Sequence, residues 1–214
     1  MNKFISVEKA LAMMKDGMTL MIGGFLNNGT PEKIVDAIAS SGLKNLTIIC
    51  NDSSYPDRGF GKLFVNKQVT KVITSYIGAN PVCNDQMNAG ELEVVFVPQG
   101  TLAERIRAAG CGLGGILTPT GLDTLSAQGK QIVNVDGKDY LLEKPLRADV
   151  ALIRASVGDH SGNLVYRGTS QNFNPLMAMA ADLVIAEVEK LVETGEIAPE
   201  NVKTPSILVD YIIE

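Results

Sequence analysis

Histidine, cysteine and long apolar runs are scarce in this 214-residue chain, and each scarcity removes a class of function. The single histidine, His160, sits in Gly158-Asp159-His160-Ser161-Gly162, a turn-like setting. A Ser-His-Asp relay needs a geometry that neighbours on one turn do not provide. The three cysteines, Cys50, Cys83 and Cys111, are far apart, and no pair has metal-ligand spacing. With one histidine they cannot build the usual four-ligand zinc site, so no metal is expected. Such an odd, unclustered set reads as reduced thiols in a cytoplasmic protein. No stretch reaches the roughly 18 apolar residues of a membrane span. The opening, Met1 to Ser6, lacks a long apolar core and a small-residue cleavage site, so no secretory signal is expected. No Walker sequence supports P-loop phosphoryl transfer. Twenty-four acidic against nineteen basic residues give a formal charge of −5, which argues against nucleic acid or an anionic membrane as the main partner.

What is present suits one α/β domain over residues 1–214. The composition is 45% hydrophobic, and a chain this long buries roughly 70% of its unfolded surface without staples. Ser6 precedes a helical pattern over Val7 to Met14. Apolar runs at Met18–Ile22, Leu46–Cys50, Lys71–Ser75 and Leu92–Val97 alternate with helical patterns at Pro31–Ser40, Gly61–Val65, Asp85–Ala89 and Leu102–Ala109. This repeated alternation predicts an open, mostly parallel sheet with helices on both faces. Thr101 and Glu104 have the spacing of a capping box for the fourth helix. Gln131–Val135, Asp136-Gly137 and Lys138–Leu142 read as an antiparallel hairpin flap. Two more strands, Val150–Ile153 and Leu183–Ala186, bracket a Met-rich helix over Pro175–Ala181, and an apolar strand is expected over Ile207–Ile213. Gly110 to Gly115 spells G-x-G-x-x-G, but a helix precedes it, so it reads as a mobile loop bordering a cleft and not as a dinucleotide site.

The chain is organised around Gly23-Gly24-Phe25-Leu26-Asn27-Asn28-Gly29-Thr30-Pro31, between the first strand and its helix. The glycines permit positive φ and close approach of a ligand. Thr30 suits the N-cap and Pro31 the first helical position. Free N–H groups there would hold a phosphate or carboxylate, or the segment is simply a strand-to-helix turn. Neutral amides recur at strand exits: Asn27, Asn28, Asn51, Asn80 and Gln99. Two or three converging on a cleft suit an oxyanion or a carboxylate. Gln99 stands out, because glutamine has no special turn propensity.

These segments together resemble the alpha subunit of family I coenzyme A transferases. The resemblance rests on Gly23-Gly24-Phe25 with Gly29-Thr30-Pro31, on Pro98-Gln99-Gly100-Thr101, and on the Gly-rich Ala108–Gly115 with Thr118-Pro119-Thr120-Gly121. Leu146-Arg147-Ala148-Asp149, Gly162-Asn163 and Asn172-Phe173-Asn174-Pro175 extend it along nearly the whole chain. It implies ping-pong transfer of CoA from an acyl-CoA to a free carboxylate through a glutamyl thioester. CoA is then a substrate, with no permanently bound cofactor. The attacking glutamate, beside an Asn-Gly pair, belongs to a beta subunit, implying an alpha2beta2 heterotetramer. Here the one Glu-Asn pair, Glu200-Asn201, is followed by Val202, so the nucleophile is expected from a second polypeptide. By the same resemblance Gln99 is the oxyanion donor and Asn51 helps hold the carboxylate. Gly24, Phe25, Leu26, Asn27, Asn28, Gly29 and Thr30 form the CoA-binding segment.

Ser75 to Pro81 looks like the acetate, butyrate and acetoacetate transferases; succinate-using relatives tend to carry an acidic residue where this chain has Ala79. The missing nucleophile leaves a second reading, a non-catalytic sensor of the same general fold that binds a sugar phosphate or acyl-CoA. A sugar-phosphate isomerase is a third, but no acid/base pair near a basic pocket is evident.

Overall fold

The computed structural model describes residues 3–214. Helix α1 (Val7–Leu11) and strand β1 (Thr19–Ile22) are followed by α2 (Glu32–Ser40), β2 (Leu46–Ile49), α3 (Gly61–Val65), β3 (Val69–Thr74), α4 (Pro81–Asn88), β4 (Glu93–Phe96) and α5 (Gln99–Gly110). Strands β5 (Ile116–Thr118), β6 (Ile132–Val135) and β7 (Lys138–Glu143) come next. Two long strands, β8 (Ala148–Asp159) and β10 (Ala181–Val192), flank the short β9 (Leu164–Val165) and α6 (Asn174–Met177); β11 (Tyr211–Ile213) follows. The main sheet runs β11-β10-β8-β1-β2-β3-β4 with every neighbour parallel, and β9 lies antiparallel on β8.

Successive side chains of a strand face opposite ways, so the sheet builds two cores. On one face Leu20, Ile22 and Ile48 pack with Ile34, Val35 and Ile38 of α2, Phe64 of α3 and Cys83 of α4. On the other Met21, Ile49 and Ala151 pack with Leu102 and Ile106 of α5 and Met177 of α6. Burial on both sides is why these strands read as continuous apolar runs.

Strands β5, β7 and β6 form a separate antiparallel flap, with Asp136 and Gly137 both at positive φ in its hairpin turn. Glu143, 2% exposed, ends β7. Its carboxylate lies 2.6 Å from Lys130 and 3.6 Å from Arg105 of α5, and Arg105 Nε donates to Lys144 O at 2.7 Å. This charge cluster, centred on a buried carboxylate, thus fastens the flap to α5.

Several boundaries differ from the sequence reading. α1 stops at Leu11, short of Met14. The Met-rich helix is the four-residue α6, because Ala181 already pairs with Ala148 in the sheet. The segment expected as one strand over Ile207–Ile213 is a 3-10 turn, Ser206–Leu208, followed by the three-residue β11. The capping box at Thr101 does not form. α5 begins at Gln99 with Pro98 at its cap, Thr101 is buried in the first turn, and Glu104 Oε2 accepts from Arg107 Nε at 2.8 Å.

Candidate active site

Parallel pairing brings the carboxyl ends of β1, β2, β3 and β4 to one edge, where ligands bind in open α/β sheets. Each exit gives one group to a single hydrogen-bond chain. Gln99, after β4, donates from Nε2 to Asn51 Oδ1 at 2.6 Å. Asn51, after β2, donates from Nδ2 to the carbonyl of Gly24, after β1, at 2.8 Å. Ser75, after β3, donates from Oγ to Asn51 O at 2.7 Å and also contacts Gln99 Oε1. The orientations follow from chemistry. The Gly24 carbonyl only accepts, so the amino half of Asn51 faces it, and Oδ1 is left to receive the amino group of Gln99.

Asn51 is 1% exposed, whereas Gln99 lies open to solvent. The buried amide braces the exposed one. Gln99 keeps a second Nε2 hydrogen for an incoming oxygen, and it stands at the first position of a 12-residue helix, whose N-terminal end carries partial positive charge. That combination suits an oxygen that gains negative charge during a reaction.

The glycine turn is tightly built. Phe25 and Asn28 exchange backbone hydrogen bonds of 3.0 and 2.9 Å, with Leu26 at φ 44° and Asn27 at φ 73° between them. A left-handed leucine is strained by about 1–3 kcal/mol. Asp52 supports it: Oδ2 accepts from Leu26 N at 3.0 Å and Oδ1 from Ser54 N at 2.7 Å. Burial pushes the Asp52 carboxyl above its ordinary pKa, against those two N–H groups. Behind the turn Asn174 donates to Gly29 O at 3.1 Å and accepts from Arg154 N at 3.0 Å. A Cβ at Gly23 would collide with Asn174 Oδ1, and one at Gly24, φ 125°, with Thr30 Oγ1. Both positions therefore need glycine.

Two expectations about this turn are corrected. Thr30 does not cap α2: Pro31 holds the cap position without a side-chain bond, and Thr30 Oγ1 is buried with no hydrogen-bond partner among the described residues. The first N–H groups of α2 are not free for an external anion either. Glu187, from β10, receives Lys33 N at 2.8 Å and Ile34 N at 3.3 Å on Oε2. The helix end does bind a carboxylate, but the chain's own, reached across more than 150 residues. Burial raises the pKa of Glu187, with these N–H groups and Arg154 opposing.

Of the five exit amides, the structure brings Gln99 and Asn51 together. Asn80 caps α4 by accepting from Val82 N at 3.2 Å, and Asn28 Nδ2 donates to Thr169 Oγ1 at 2.6 Å. Asn27 Oδ1 is buried without a hydrogen-bond partner among the described residues. Within the turn, Phe25, Leu26 and Asn28 are exposed, while Gly24, Gly29 and Thr30 are buried. Sequence reasoning assigned no role to Ser75, Asp52 or Glu187. Ser75 shares the signal that marked the amides, a polar residue at a strand exit; Glu187 carries no local signal.

A model of the family described as coenzyme A transferase matches residues 4–214. The chain is 54% identical over 213 residues to the alpha subunit of the acetoacetyl-CoA:acetate/butyrate CoA transferase of Clostridium acetobutylicum, covering 100% of this chain and 98% of that one. It is 51% identical over 212 residues to subunit alpha of the acetate CoA-transferase of Escherichia coli K12, covering 99% and 96%. Its fold is shared with the acyl-CoA transferase YdiF of Escherichia coli O157:H7, at a TM-score of 0.85 and 23% identity, over 99% of this chain and 46% of that chain. With the model matching almost end to end and relatives above half identity, the chain belongs to the coenzyme A transferase family.

Proposed function

We propose that this chain is the alpha subunit of a CoA-transferase that moves CoA between a short-chain acyl-CoA (acetyl, butyryl or acetoacetyl) and a free short-chain carboxylate. The observation that carries the reading is the exposed Gln99 amide, locked by buried Asn51 at the strand exits, in a chain whose relatives over full length are named for this transfer. A beta subunit supplies the nucleophilic glutamate, and the two assemble as an alpha2beta2 heterotetramer.

The glutamate oxygen attacks the thioester carbonyl carbon, the C–S bond breaks, and CoA departs as thiolate from an acyl-glutamyl anhydride. The thiolate then attacks the glutamyl carbonyl, releasing the first carboxylate and leaving a glutamyl-CoA thioester. A second carboxylate reverses both steps, so no oxidant, reductant or net proton is required. Negative charge grows on a carbonyl oxygen at each tetrahedral stage, and the remaining Gln99 Nε2–H donates to it. Such a donor lowers the barrier by about 3–4 kcal/mol. Asn51 holds that amide in place beside the carboxylate, and the Gly24–Thr30 turn offers Phe25, Leu26 and Asn28 to CoA.

CoA enters as substrate, with nothing permanently bound. Three unpaired cysteines, Cys50 and Cys83 buried and Cys111 exposed, suit a reducing cytoplasm. Among the described residues no helix is long and apolar enough to cross a membrane. The test is reconstitution. The chain alone should show no exchange between acetoacetyl-CoA and acetate or butyrate, and a copurifying partner carrying Glu-Asn-Gly should restore it. Turnover by the single chain, or an inert pair, overturns the reading.

A further inference from the structure

Asn172 follows a 3-10 turn, Gly168–Gln171, in the link from β9 to α6. Its backbone sits at φ 26° and ψ −123°, where glycine is at ease and a residue with a side chain is strained. Strain of this kind persists where surrounding contacts over-determine it, and here they are made by the side-chain amide. Asn172 Oδ1 accepts from Gly24 N at 3.2 Å and from Phe173 N at 2.7 Å. Its Nδ2 donates to Asn28 O at 3.0 Å and to Ser170 O at 3.1 Å. The half-buried amide thus grips both ends of the glycine turn at once, from 148 and 144 residues away in sequence.

Gly24 is the residue whose carbonyl receives Asn51 Nδ2, and it has no Cβ to limit its swing. Asn172 Oδ1 holds the peptide unit before it, through Gly24 N. The unit after it carries the Gly24 carbonyl and is held through Phe25 N. That N–H donates to Asn28 O at 3.0 Å, the same oxygen that Asn172 Nδ2 fixes. The links then run from Asn172 to Gly24, from Gly24 to Asn51, and from Asn51 to Gln99. We propose that Asn172 is a positioning residue for the transfer: it sets the direction of the Gly24 carbonyl, which aims Asn51 and, through it, the Gln99 amide. The proposal rests on the CoA-transferase reading and adds to it a residue that acts only through its neighbours. A misplacement of about 1 Å at a reacting centre lowers a rate by up to roughly a hundredfold, so a clamp away from the chemistry still bears on kcat.

The test is Asn172→Gly in the complex of this chain with its partner subunit, read as kcat for CoA exchange between acetoacetyl-CoA and acetate. Glycine takes this φ and ψ freely, so the loop can keep its path while the clamp is lost. If Asn172 served only the loop, glycine would serve as well. Instead kcat should fall about tenfold to a hundredfold. Asn172→Asp is the second variant. It keeps the size of the side chain and an acceptor for Gly24 N, but turns a carboxylate oxygen towards Asn28 O in place of an N–H. It should lose about tenfold in kcat at neutral pH. Each change is then combined with Gln99→Ala. There the further loss should shrink to within about threefold, because the amide being aimed is gone. A merely structural contribution would lower kcat by the same factor in both backgrounds. Natural kcat in the variants, or an undiminished loss beside Gln99→Ala, overturns the proposal while leaving the CoA-transferase reading intact. A natural complex that transfers no CoA removes that reading and this proposal with it.

Discussion

Gln99 Nε2 lies 2.6 Å from Asn51 Oδ1 and ties the exits of β4 and β2 together across 48 residues of sequence. The accessible amide is thereby aimed by the inaccessible one. A free glutamine side chain samples many rotamers, and fixing it before the substrate arrives is what makes a donor effective in a transition state.

Gln99→Ala in the reconstituted complex should lower kcat by about two to three orders of magnitude, as loss of an oxyanion donor does. Steady-state CoA exchange checks this, and a near-normal rate removes Gln99 from the chemistry.

Asn51→Leu should act through Gln99. It frees the Gln99 amide and strips the Gly24 carbonyl of a donor, costing about 1–3 kcal/mol of stability. In a double-mutant cycle its effect on kcat should largely vanish in the Gln99→Ala background. Two fully additive losses in kcat would show that the residues act independently.

Gly23→Ala should destabilise the chain by about 1–3 kcal/mol through overpacking, since the new methyl meets Asn174 Oδ1. Thermal unfolding of the subunit reads this directly. Gly42→Ala, where the new methyl meets nothing within 4 Å, is the control and should leave the midpoint within a degree or two.

Glu143→Ala should loosen the flap. It leaves Arg105 and Lys130 without their shared partner, and because both cations are partly exposed the cost should fall below the roughly 3–5 kcal/mol of a fully buried pair. Hydrogen exchange in β5 and β7 should accelerate well before that of β1 and β2. Uniform acceleration in all four strands would show that the flap has no separate anchor.

Asp52 carries a pH signature. Burial raises its folded pKa above the ordinary 3.8, so the folded chain holds this proton more readily than the unfolded one. The resulting stability is complete below 3.8 and is lost as pH rises through the raised value. Asp52→Asn has no such titration. The unfolding free energy of the natural chain minus that of the variant should therefore decline over that rise and level off towards neutral pH. A difference that grows with pH would contradict the burial of this carboxylate.

The sequence by itself determined the sheet. Its four apolar runs with helical patterns between them are local statements about burial and period, and β1 to β4 with α2 to α5 follow them to within a few residues. The Asp136-Gly137 hairpin was legible for the same reason, since turn chemistry is local. Polar residues at strand exits marked Gln99 and Asn51, because the fold class alone says where ligands enter. Only the tertiary structure decided which amides meet and which N–H groups are already taken. Glu187 fills the end of α2 from a strand far along the chain, and Asn80 turns back to cap α4. The first outcome depends on a distance between elements that no local pattern encodes, so the sequence left the start of α2 as either an anion site or a plain turn.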